Sequence, residues 1–106
     1  MRERIQARSE RIAHFETLLR MLQRLVLSGA RSAQAQRVAG ACADALAAYY
    51  GSADWRADFA ADEAGLLPPG LRRGVLSEDG IYNALDAYRE WRDALQSPLR
   101  DGIVKN

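Results

Sequence analysis

Apolar residues set the first rhythm of the chain. Ile5, Ile12, Phe15, Leu19, Leu22 and Val26 recur at spacings of 7, 3, 4, 3 and 4 residues. That is the stripe of an amphipathic helix, with Arg8 filling the one missing position and Leu18 and Leu25 widening it. The pattern predicts a helix over residues 3–28, about 39 Å long at 1.5 Å per residue. Gly29 is placed to end it.

A second stripe, Ala35, Val38, Cys42, Ala45 and Tyr49, repeats at 3, 4, 3 and 4 residues and predicts a helix over 32–50 with Ser32 as its cap. Its small side chains suit close approach to the bulky first helix. The short connection between them, residues 29–31, predicts an antiparallel hairpin. Gly51 and Ser52 then give a stop and a start with no spare residue, so a sharp corner leads into a third, short helix over 53–64. Trp55 and Phe59 share one face of it, and Leu66, just past Gly65, is expected to fold back on that face. Leu67-Pro68-Pro69-Gly70 is a loop, because each proline removes a donor and restricts its predecessor.

Ser77 is a good N-cap for a last helix over 78–96, with Glu78 and Asp79 in the first turn, where the helix dipole favours carboxylates. Ile81, Ala84, Leu85, Tyr88, Trp91 and Leu95 form its apolar stripe, and Ser97-Pro98 ends it. Leu99, Ile103 and Val104 in the remaining tail could dock on the bundle. No strand alternation occurs, so the expected fold is all-α: one domain over 1–106, a small helical bundle with a long N-terminal hairpin, a short third helix, a Pro-Pro loop and a closing amphipathic helix.

Length and composition agree with that. A chain of 106 residues has room for one core. Its 48% hydrophobic and 27% charged residues are ordinary for a globular domain and exclude a disordered one. The longest charge-free run, residues 45–53, is nine residues, well short of the ~20 a membrane-spanning helix needs. A single cysteine makes a reducing, cytoplasmic setting the default. The net charge of +1 argues against a dedicated nucleic-acid binder, although residues 1–37 hold eight Arg against three Glu. Those glutamates look like partners of the arginines within the helix, with Glu16 four residues from Arg20.

Three segments are distinctive: Tyr49-Tyr50-Gly51-Ser52-Ala53-Asp54-Trp55, Glu63-Ala64-Gly65-Leu66-Leu67-Pro68 and Arg73-Gly74-Val75-Leu76-Ser77-Glu78-Asp79. In this order they resemble a family of short bacterial proteins known only as a domain of unknown function, with the pattern Y-Y-G-S-x-x-W, E-x-G-x-L-P and R-G-V-L-S-E-D. The resemblance implies no activity, cofactor or site. The next position, Gly80, is one where a larger residue is expected to fit equally well.

Asp54, Asp58 and Asp62 stand at i, i+4 and i+8, a carboxylate stripe along the third helix that continues into Glu63. Like charges at this spacing repel, and Arg72 and Arg73 are the nearest compensating cations in sequence. A solvated face paired with those arginines, a docking site for a basic partner and a divalent-cation site are the three readings, the last disfavoured by the lack of a ligand loop. The aromatic group Tyr49, Tyr50, Trp55 and Phe59 reads as a small core or as an aromatic-lined groove. Ser77 lacks a marked histidine partner, since the one histidine, His14, lies far off in the first helix. Cys42 reads as a small buried residue. No phosphate loop, zinc spacing or dinucleotide fingerprint is present, so no cofactor is expected.

These features favour a non-enzymatic protein–protein interaction or regulatory module. The expected contact surface is Asp54, Trp55, Asp58, Asp62, Glu63, Arg72, Arg73 and Tyr82, with an unidentified protein partner, a second copy paired through the first helix, or both. The alternatives are a nucleic-acid accessory protein using the arginine-rich first helix, and a small enzyme or metal protein built around the Pro-Pro loop.

Overall fold

The structure, a computed structural model, describes residues 2–77 and 79–96. Four helices follow one another: α1 (Arg2–Ser28), α2 (Ala33–Tyr49), α3 (Ala53–Glu63) and α4 (Gly80–Gln96), with a 3₁₀ turn at Gly74–Leu76 before the last. There is no strand among the described residues. The all-α bundle is therefore the fold, and the expected helix boundaries hold to within two residues. None of these helices is long and apolar enough to cross a membrane.

Local chemistry accounts for the ends. Ser32 and Ser52 accept the backbone N–H of Ala35 and Trp55, and so cap α2 and α3. Gly29 and Gly51 adopt positive φ, 69° and 78°, which lets the chain reverse between α1 and α2 and turn the corner into α3 without a Cβ clash. α3 closes with Gly65 N–H on Asp62 O and Leu66 N–H on Ala61 O, a Schellman arrangement. Ser77 accepts the Gly80 N–H at 2.9 Å at the start of α4. Glu78, expected in that first turn, and Leu99, Ile103 and Val104 of the tail lie outside the described residues.

The core gathers Ile12, Leu19 and Leu22 of α1, Ala39, Cys42, Leu46 and Tyr49 of α2, Leu67, Val75 and Leu76 of the connecting segment, and Ile81 and Ala84 of α4. Two expectations are corrected here. On α2, Val38 and Ala45 are only half-buried, while Ala39, Ala43 and Leu46 are inside. α2 packs on both α1 and α4, so its buried face is broader than a single stripe and turned toward the second neighbour. At the end of α3, Leu66 is 59% exposed and Leu67 takes the buried place instead.

A third correction concerns Gly80. A Cβ built there would stand 2.2 Å from the Gly74 carbonyl oxygen and 2.7 Å from Ser77 Oγ. A larger residue does not fit. The 3₁₀ turn and the first turn of α4 pack backbone to backbone, which only hydrogen at Cα allows.

The hairpin covers more of α1 than its length suggests. Ile12, Leu19 and Leu22 are buried within the chain, and the large apolar residues of α1 left open among the described residues are Met21, at 39%, and Leu27, at 86%. What the stripe offers to a second copy is therefore a local opening near the C-terminal end of α1.

Candidate functional site

The charged centre of the molecule is built around Asp58. This carboxylate, expected on a solvated stripe and on a contact surface, is fully buried. α3 packs that face inward, toward α1 and the end of α2. Oδ1 accepts Arg8 Nε at 3.1 Å and Arg11 Nη2 at 2.6 Å. Oδ2 accepts Arg11 Nε at 2.9 Å and Tyr49 Oη at 2.7 Å. Two arginines of α1 and a tyrosine of α2 thereby hold α3 in place. For Asp58 the compensating cations are Arg8 and Arg11 of the first helix rather than Arg72 or Arg73, and the Arg8 that interrupts the α1 stripe makes this contact.

Electrostatics follow from that geometry. A carboxylate offers about four lone-pair positions, and Asp58 has four donors on them. No lone pair is left to take a proton from a substrate or to bind a cation. Hydrogen bonding to Asp58 raises the Arg11 pKa, so its charge is permanent. Burial, and the hydrogen bond to Asp58, push the Tyr49 phenol far above its ordinary value, so it stays a donor. Phe15 stacks on the Tyr49 ring at 4.0 Å between centroids, which closes the cluster on its apolar side.

The rest of the expected surface is divided. Asp62 accepts Arg73 Nη1 at 2.8 Å, and Arg73 Nη2 also donates to the Pro68 carbonyl, so this pair fastens the Pro-Pro loop. Trp55 is half-buried, its indole N–H donating to the Val75 carbonyl at 2.8 Å. Tyr50 and Phe59 meet the Trp55 ring at 5.2 and 5.3 Å, and Tyr50 and Trp55 pack against the core. Asp54 lies 3.9 Å from Arg11 and is largely exposed, and Glu63, Arg72 and Tyr82 are exposed. These last four are the exposed members of the set, Trp55, Asp62 and Arg73 are half-buried, and Asp58 is inside. His14 is exposed and meets Phe15 edge-on. Cys42 is buried, and burial raises its thiol pKa. Among the described residues no group of three or more His, Cys, Asp or Glu could hold a metal ion.

Sequence reading missed a second buried carboxylate. Glu16, read as an intrahelical partner of arginine, does lie 3.6 Å from Arg20. It is also 9% exposed and accepts the Val75 backbone N–H at 3.1 Å. It holds the 3₁₀ turn against α1, so closely that a Cβ built at Gly74 would stand 3.1 Å from both carboxylate oxygens. The signal was a glutamate beside the apolar stripe, which spacing alone does not distinguish from a surface one.

Beside Glu16 the structure opens. A hollow of about 670 Å³ is lined by Glu16, Leu19, Arg20, Gln23, Arg24, Leu27 and Ser28 of α1 and by Gly74, Ser77 and Gly80 across from them. A second hollow of about 430 Å³, lined by Gln23, Val26, Leu27, Asn83, Ala84 and Ala87, shares Gln23 and Leu27 with the first. Together they form one groove between the C-terminal half of α1 and the N-terminal half of α4, with Leu27 standing in it.

The family model for a domain of unknown function, DUF4298, matches residues 1–96. The chain belongs to the DUF4298 family. The match spans all four helices, so the Asp58 centre and the α1–α4 groove both lie inside the DUF4298 domain. No curated protein and no solved structure matches the chain.

Proposed function

We propose that this DUF4298 protein is a non-enzymatic protein–protein interaction module of the cytoplasm, and that the α1–α4 groove is its principal contact surface. The observation that carries the reading is Leu27. A leucine 86% exposed at the meeting point of two largely apolar hollows contributes nothing to the fold and is suited to anchoring a partner. The charged centre supports the same reading from the other side, because Asp58 is saturated with donors and serves as an internal clamp. Asp58 leaves the contact surface. Asp54, Glu63, Arg72 and Tyr82 stay in the proposal as a second, more polar region.

The test is capture from a host lysate with the wild-type chain and with Leu27→Asp, each with and without nuclease. A discrete, nuclease-resistant protein retained by wild type and lost with Leu27→Asp, at unchanged melting temperature, is the expected result. Retention undiminished by Leu27→Asp contradicts the groove. Retention that disappears with nuclease moves the reading to nucleic acid.

A further inference from the structure

The groove also carries information about what enters it. Its α1 wall runs from Glu16 to Ser28, about 18 Å at 1.5 Å per residue, the length of a helix of about twelve residues. Its apolar floor includes Leu19, Leu27 and Ala84. Its charged lining residues are Glu16, Arg20 and Arg24, and their balance is one positive charge. Glu16 is spent on the Val75 N–H and on Arg20, whereas Arg24 is exposed and makes no ion pair among the described residues. The α4 wall, with Asn83, Ala84 and Ala87, carries no charge.

Resting on the interaction reading above, we infer that the occupant is an acidic amphipathic helix of a partner protein. Its apolar face would lie on Leu27 and its carboxylates along Arg24, whose charge Glu16 does not meet. An apolar floor of helix length fits the helix-in-groove mode, in which anchors three and four residues apart fill one face. The cationic edge selects the sign of the flanking charge, because a basic helix would meet Arg24 as a like charge. A nucleic acid is the poorer occupant, since no exposed aromatic ring lines the floor for bases to stack on.

The test uses two synthetic amphipathic peptides of about twelve residues with the same leucine stripe, one flanked by glutamate and one by lysine. Their binding to the full chain is read by fluorescence anisotropy at low and high salt. The glutamate peptide is expected to bind at least about tenfold tighter than the lysine peptide at low salt, with the gap narrowing as salt is raised. Arg24→Glu should reverse the preference, and Leu27→Asp should weaken both peptides. Both residues are exposed, so neither variant should change the melting temperature. Equal or tighter binding of the lysine peptide, still sensitive to Leu27→Asp, overturns the acidic partner while leaving the groove as a contact surface. Binding of neither peptide, or binding insensitive to Leu27→Asp, overturns both. A concentration-dependent dimer in sedimentation that Leu27→Asp abolishes gives the groove to a second copy and overturns the inference, as does a short oligonucleotide that displaces the glutamate peptide.

Discussion

Arg11 grips Asp58 through two nitrogens, at 2.9 and 2.6 Å, across 47 positions of sequence. This fork-on-carboxylate contact fixes where α3 sits on the hairpin, and its partner Arg8 adds a single bond to the same oxygen pair. The two arginines are therefore unequal. Arg11→Ala removes both of its bonds and leaves a fully buried carboxylate underpaired, so a loss of about 3–5 kcal/mol is expected. Arg8→Ala removes one bond and leaves Arg11 and Tyr49 on the carboxylate, and about 1–2 kcal/mol should be lost. Urea unfolding followed by circular dichroism measures both. Equal losses would mean the two-nitrogen contact has no special weight.

Tyr49 gives this clamp a dependence on alkaline pH. Its folded-state pKa is raised, by burial first and by the hydrogen bond to Asp58 second. The folded chain keeps the proton after the unfolded chain begins to lose it near the ordinary value of about 10. The stabilisation is therefore complete below that pH and declines as pH rises through it, by up to about 1.4 kcal/mol per pH unit. Tyr49→Phe keeps the ring on Phe15 but should cost about 1.5–3 kcal/mol at neutral pH, the range for a hydrogen bond to a charged group. It should also flatten the alkaline decline in unfolding free energy. An unchanged slope above pH ~10 would assign the decline to other groups.

At Gly80 two effects of opposite sign compete. Alanine in place of a helical glycine ordinarily gains about 1 kcal/mol. Here the new Cβ would stand 2.2 Å from the Gly74 carbonyl oxygen, and backbone on both sides must shift. Overpacking of this kind typically costs about 1–3 kcal/mol, so Gly80→Ala should lower the melting temperature despite its helical propensity. Gly70→Ala is the control, because a Cβ there meets nothing within 4 Å. It should leave the melting temperature unchanged or slightly raised.

Glu16 acts on the 3₁₀ turn through one backbone bond. Glu16→Ala strands the buried Val75 N–H and should cost about 1–3 kcal/mol. Glu16→Gln keeps an acceptor oxygen and gives up only the 3.6 Å contact with Arg20, so its cost should stay below about 1 kcal/mol. Amide hydrogen exchange at Val75 should speed up in the alanine variant and stay slow in the glutamine one.

Much of the fold was legible in the sequence because its punctuation is local. Ser32, Ser52, Gly29 and Gly51 act within a few residues of themselves, and the 3- and 4-residue spacings repeat within each helix. The site was less legible. Asp58 reads as one member of an i, i+4 stripe, and only the docking of α3 on α1 reveals that its face points inward. Arg8 in the α1 stripe was the available clue, since a cation in an apolar row demands a buried anion. Glu16 and Gly80 escaped for the same reason: their partners, Val75 and Gly74, lie in an irregular segment whose path no periodicity encodes. The groove is further removed still, because Leu27 continues the apolar run of α1 and nothing in that run shows that α4 leaves it uncovered.

The central claim, that partners enter between α1 and α4, is tested most directly by site-specific photo-crosslinking in the host cell. A photoreactive residue is placed in turn at position 27, in the groove, and at exposed position 41 on α2. A discrete adduct with another protein from position 27 and none from position 41 is the predicted result. Adducts of equal yield from both positions, or an adduct from position 41 alone, would contradict it.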